Sequence, residues 1–165
     1  PGWAACAALA VALWLVAAQR RAGRAWDALV IECSAIVFLA AYAITGFASP
    51  HSDFLAHYGG PLSSLWLAAT AWGSLAIGHP FTLGIARTQT PPSVWRTALF
   101  RRVNRVITTV WAAAFTACGI GTALLRHYQP DADTARTALI AASFVLPVLF
   151  TLRFPQAARA RWAAE

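Results

Sequence analysis

The chain alternates long apolar runs with short polar connections. The runs cover roughly Trp3–Ala18, Ala28–Phe47, Leu62–Ile77, Val103–Leu125 and Ala135–Leu152. Each approaches the ~20 residues with which a helix crosses a hydrocarbon core. The pattern predicts one all-α domain over residues 1–165, an integral membrane bundle of five transmembrane helices.

The arginines orient this ladder. Arg20, Arg21 and Arg24 occupy the first connection, and Arg87, Arg96, Arg101, Arg102 and Arg105 lie in or beside the third. Arg153, Arg159 and Arg161 lie in the tail, while only Arg126 and Arg136 flank the fourth connection and the second has none. Eleven arginines on one side against two on the other is a positive-inside signal. It predicts an N-terminus outside the cytoplasm and a C-terminus inside.

Local signals refine the connections. Asp27 is placed to cap the second helix. The outer loop Ala48–Pro61 has turn residues around one interfacial turn, Asp53–Tyr58. In the inner connection His79–Asn104, Pro80 ends the third span and Pro91-Pro92 precede Ser93, a candidate cap. Trp95, Leu99 and Val103 then recur at four-residue spacing, which predicts an interfacial helix leading into the fourth span. Asp133 or Thr134 is expected to cap the fifth helix, Pro147 to kink it, and the basic tail Arg153–Glu165 to lie on the inner surface.

Composition agrees with a membrane setting: 59% of residues are hydrophobic and 12% charged, whereas soluble domains carry about 25% charge. A net charge of +7 would otherwise suggest nucleic acid. Placed in the connections, the arginines instead suit membrane lipids with anionic headgroups, and no nucleic-acid partner is expected. Arginine without lysine, together with abundant alanine, reads as a GC-rich bacterial genome. The first run has no basic residue before it and two after it, the reverse of a signal peptide, so it is expected to remain as a span. Pro1 and the lack of methionine suggest removal of an initiator Met.

Several residues are candidates for chemistry or contact. Glu32 is the one acidic residue well inside an apolar run, where it needs a cation, a proton or the headgroup level. Arg105, near the same boundary, is its candidate partner in an intramembrane ion pair. Ala69 with Gly73, and Ala117, Gly119 and Gly121, place small residues where helices or partners approach closely. Trp26, Trp95 and Trp162 are candidate interfacial anchors. The deeper Trp14, Trp66, Trp72 and Trp111 either pack or line a hydrophobic groove. Outside, His51, Asp53, His57 and His127 have metal-ligand chemistry, but their spacing is no metal motif, so neither a metal nor any other cofactor is expected. Cys6, Cys33 and Cys118 lie in apolar runs and read as small hydrophobes. With no nucleophile motif, phosphate loop or paired carboxylates, the protein reads as no enzyme.

From Trp66 to Phe154 the order of features resembles the bacterial intracellular septation protein A family. The shared run is Pro92 and Trp95, then Asn104, then Trp111, Phe115, Cys118 and Gly119, with His79-Pro80-Phe81-Thr82-Leu83 ahead of it. Thr122 stands near where that family tends to carry asparagine. The resemblance implies a five-span protein of the bacterial inner membrane that supports septum and envelope assembly, with no catalytic residues to transfer. Beside that reading stand two others. One is an accessory subunit of a larger membrane complex, energy-transducing or pigment-containing. The other is a small carrier or lipid-binding protein using Glu32 and Arg105.

Overall fold

A computed structural model of the chain describes residues 2–49 and 52–162, with side chains as far as residue 158. It is all-helical among the described residues. The helices are α1 (Gly2–Arg21), α2 (Val30–Ala48), α3 (Asp53–Ala76), α4 (Thr82–Arg87), α5 (Ala98–Tyr128) and α6 (Asp133–Trp162). Four of them, α1, α2, α5 and α6, are long and apolar enough to cross a membrane. Helix α3 has the length, but Gly59, Gly60, Pro61 and its serines and threonines make it less apolar.

Several ends differ from the sequence expectation, for local reasons. Helix α3 begins at Asp53 rather than near Leu62, because Ser52 caps it: its Oγ accepts the Leu55 N–H at 3.3 Å. Asp53 then favours the positive end of the helix dipole. The expected single interfacial turn is the first part of one continuous helix, which tolerates Pro61 by losing one backbone hydrogen bond. Asp27 does not cap α2. It lies in a 3-10 turn, Trp26–Ala28, and its carboxylate is bonded to Arg87. Ser93 likewise falls in a 3-10 turn, Pro92–Val94, while Thr97 Oγ1 caps α5 by accepting the Phe100 N–H at 3.2 Å. Trp95 therefore precedes α5 rather than riding on it. Helix α6 runs through Pro147 and Pro155 to Trp162 without a break.

Two turns at the arginine-rich end are built alike. Gly23 (φ +80°) and Gly78 (φ +75°) take left-handed backbone just after α1 and α3. Arg24 N–H then reaches Gln19 C=O at 3.1 Å, and His79 N–H reaches Ser74 C=O at 2.9 Å. This double-bonded helix stop satisfies carbonyls that would otherwise be orphaned, and it needs glycine for the positive φ.

The long helices form a row. Helix α1 packs on α2, α2 on α3, α3 on α5 and α5 on α6, with the α3–α5 seam the most extensive. The ends of the row, α1 and α6, share no comparable seam. A row leaves more surface than a closed bundle. The chain exposes 10255 Å², against roughly 7,900 Å² for a compact soluble protein of its mass. At most 39% of any candidate span is enclosed.

Helix α5, with neighbours on both sides, shows how the seams are made. Its buried positions are Asn104, Ile107, Thr108, Ala112, Phe115, Cys118, Gly119 and Thr122. Most are small or weakly polar, while Ile120 and Leu124 face outward. A helix in water would be the other way round. In lipid, small residues let backbones approach and apolar ones face the tails.

Candidate functional site

A close-packed junction forms where both arginine-rich connections meet the starts of α4 and α5. The Gly78 stop turns the chain so that α4 lies across the Trp26–Ala28 turn. Gly84 makes this possible. A Cβ there would collide with the backbone carbonyl of Asp27 and the amide of Ala28, so α4 touches that turn backbone to backbone.

A buried polar chain anchors α4 from the other side. Thr82 Oγ1 donates to the Asn104 carbonyl at 3.0 Å and pairs with Thr108 Oγ1 at 2.8 Å. Since the Thr82 hydroxyl has one proton, Thr108 is the donor in that pair. Asn104 Nδ2 donates to Phe100 C=O at 2.9 Å. Ser74 Oγ donates to Ala71 C=O at 2.7 Å and accepts the Phe81 N–H at 3.2 Å. Replacing Ser74 by alanine leaves the buried Phe81 N–H without an acceptor, and such a group costs about 1–3 kcal/mol. Thermal denaturation should show that loss for Ser74→Ala, and Ser74→Thr, which keeps the hydroxyl, should recover most of it.

On the solvent side of the junction, Arg87 Nη1 donates to Asp27 Oδ2 at 2.6 Å, and its guanidinium lies 5.7 Å from the Trp95 ring centroid. Trp95 Nε1 is held by the Thr90 carbonyl at 3.1 Å. The Arg87 Nε is enclosed without an acceptor. Across the first connection, the Arg20 guanidinium sits 4.4 Å over Trp26, and Arg24 Nη1 donates to Gln19 Oε1 at 2.8 Å.

The residues singled out by sequence are distributed unevenly. Glu32 and Arg105 do not form an ion pair: Arg105 is exposed on α5, and Glu32 Oε1 accepts a long bond from Gln19 Nε2 at 3.5 Å. The row is the reason, because α3 stands between α2 and α5. Ala69, Gly73 and Ala117 are exposed, and nothing lies within 4 Å of where a Gly73 side chain would begin. The buried positions of α3 are instead Pro61, Ala68, Ala71 and Ser74. Gly119 and Gly121 serve different seams, Gly119 against Leu65 of α3 and Gly121 against Leu139 of α6.

Three of the four deep tryptophans take part in the seams between helices. These three donate their indole N–H groups across different seams: Trp66 to Ser34 C=O at 2.9 Å, Trp72 to Thr116 Oγ1 at 3.2 Å and Trp111 to Thr151 Oγ1 at 3.1 Å. Trp14 is largely exposed on α1. Trp26 is exposed and Trp95 half-buried at the junction, while the Trp162 side chain lies outside the described residues. Asp53 and His57 are one turn apart on α3 and His127 ends α5. His51 lies outside the described residues, among which no group of three His, Cys, Asp or Glu could hold a metal. Cys6, Cys33 and Cys118 are free thiols, with Ser64 Oγ donating to Cys118 Sγ at 3.6 Å.

Sequence reasoning missed Gly84, Thr82 and Ser74. Their signal was present, as small and polar residues inside the apolar stretch Ser74–Ala86, but no local rule says which side they bury. No family model, curated protein or solved structure matches this chain.

Proposed function

We propose that this is a five-span membrane protein that works through contact with other membrane proteins rather than by catalysis, its N-terminus outside the cytoplasm and its C-terminus inside. The observation that carries the reading is the open row, whose helices keep large apolar side chains exposed, such as Trp14, Ile44, Leu146 and Leu152. Lipid or partner helices are the environments in which such surface is stable.

In this reading α3 is the fifth span. Its 24 residues reach about 36 Å at 1.5 Å per residue. Its hydroxyls bond locally, as in Ser63 to Gly60 C=O at 2.7 Å and Thr70 to Trp66 C=O at 3.0 Å, which lowers the cost of placing them in lipid. Helices α5 and α6, at 31 and 30 residues, reach about 45 Å and outrun a ~30 Å core. Their arginine-bearing ends then extend into the inner headgroups, that of α5 beside α4. The resemblance over Trp66–Phe154 supports a role in septum or envelope assembly at the bacterial inner membrane. A second reading, an accessory subunit of a larger complex, is favoured by the unpacked small residues Ala69, Gly73 and Ala117.

Single cysteines placed in a background lacking Cys6, Cys33 and Cys118 test the topology. Ser52→Cys and Gln129→Cys should react with an impermeant maleimide on intact cells, and Arg96→Cys only after permeabilisation. Labelling of Arg96→Cys alone reverses the orientation, and Ser52→Cys and Gln129→Cys on opposite sides removes α3 as a span. Native mass spectrometry of gently extracted protein separates the two contact readings. A fixed set of partner subunits selects the accessory subunit, and a bare monomer or dimer with lipid selects the septation-like role.

A further inference from the structure

We infer that the cleft between the α1–α2 connection and the α4–Trp95 connection binds a phosphate ester anion, carried by a lipid headgroup or by a phosphorylated solute. The lipid source rests on the membrane-embedded reading above; the anion chemistry does not.

The cleft holds about 410 Å³ and is walled by Gly23, Arg24, Asp27, Arg87, Thr88 and Trp95. It is open to the surface rather than enclosed. Nothing lies within 4 Å of where a Gly23 side chain would begin, so that wall leaves room for a ligand. Its charge is unbalanced, with Arg24 and Arg87 in the wall against one carboxylate, Asp27. Arg20 and Arg21 stand at the end of α1, where the helix dipole accounts for them. The inference therefore rests on Arg24 and Arg87.

Arg87 has five N–H donors and uses one, toward Asp27, while its Nε is shut in without an acceptor. Arg24 uses one toward Gln19. Two guanidinium groups with unused forked donors on one cleft match the several acceptor oxygens of a phosphate better than a single carboxylate. Asp27, held from one side by Arg87, can accept a hydroxyl of the ligand from the other. A phosphoglycerol headgroup supplies both groups. Trp95 lines the cleft, and its ring suits the boundary between headgroups and tails.

The test is native mass spectrometry of the full chain in nanodiscs of mixed dioleoyl phosphatidylglycerol and dioleoyl phosphatidylcholine. Parallel arms contain inorganic phosphate or glycerol 3-phosphate. One phosphatidylglycerol should be retained in preference to phosphatidylcholine. The preference should fall about fivefold for each arginine removed in Arg24→Gln and Arg24→Gln/Arg87→Gln. Arg24→Gln keeps the Asp27–Arg87 bond, so its effect is free of any loss of that contact. Arg101→Gln/Arg102→Gln removes the same charge elsewhere and should leave the preference intact. Displacement of the lipid by glycerol 3-phosphate, with solute bound in its place, keeps the site and assigns it a solute. Equal loss in the Arg101/Arg102 variant, or no preference and no phosphate binding by a chain that labels as embedded, overturns the inference and leaves the topology standing.

Discussion

Replacing Gly84 with alanine is expected to be the most damaging single-methyl change in the described fold. The new Cβ would overlap the Asp27 carbonyl and the Ala28 amide, both backbone groups that cannot swing aside. The turn beneath is pinned by Ala28 N–H to Ala25 C=O at 3.1 Å and Leu29 N–H to Trp26 C=O at 3.0 Å, with Leu29 fully buried. Helix α4 must therefore back away, which strains the Phe81–Ser74 and Thr82–Asn104 bonds together. A loss of about 3 kcal/mol, the upper end of overpacking costs, is expected. The Asp27–Arg87 ion pair cannot compensate, because both side chains are about 40% exposed and such pairs contribute about 0–1 kcal/mol. Thermal denaturation in detergent should show a fall of roughly 6–12 °C for a chain of this size. Limited proteolysis should then cut first between His79 and Thr97. An unchanged midpoint would falsify the backbone contact.

The second large effect is expected on α5, and its signature is an order rather than one value. At Gly119 a Cβ would lie 2.6 Å from Leu65 Cγ and 3.1 Å from the Leu65 backbone nitrogen. Part of that contact cannot be relieved by rotating a side chain, so Gly119→Ala should cost about 2 kcal/mol on the most extensive seam of the row. At Gly121 the close atom is the far end of Leu139, Cδ2 at 2.6 Å, and the next is 3.8 Å away. Leu139 can swing clear, and the loss should stay below about 1 kcal/mol. Gly73→Ala meets nothing and should gain about 0.5–1 kcal/mol from helix propensity. The expected ranking of thermal midpoints is Gly73→Ala above the parent, Gly121→Ala near it and Gly119→Ala lowest. Equal losses at Gly119 and Gly121 would mean that the two seams are equally rigid and that the ranking argument fails.

These glycines show where sequence stops being informative. Gly119 and Gly121 read as one small-residue motif, yet at 100° per residue they point roughly 200° apart and meet different helices. Ala69 and Gly73 have the spacing of a packing face and are exposed, while Ala68 and Ala71, one residue or two away, are the buried ones. Glu32 and Arg105 stand at similar depth in the sequence pattern, but depth does not say which helices are neighbours. The Trp26–Ala28 turn and the cap at Thr97 were misread for a related reason. Asp27 and Ser93 have the chemistry of caps, but Asp27 bonds an arginine 60 residues away and Ser93 follows two prolines that favour a tight turn.

The sequence by itself determined the all-helical character, four of the long apolar helices and the clustering of the arginines in alternate connections. Each of these depends on local quantities: run length, hydropathy and the residues that stop a helix, such as Pro80. Only the tertiary structure decided which face of each helix is covered, where the three seam tryptophans bond, and that α4 rests on the first connection through Gly84. The physical reason is that an apolar helix looks much the same from every side. When lipid and protein neighbours are equally apolar, hydrophobicity no longer separates inside from outside. The choice of seam then falls to close packing and a few hydrogen bonds, which exist only between segments distant in the chain.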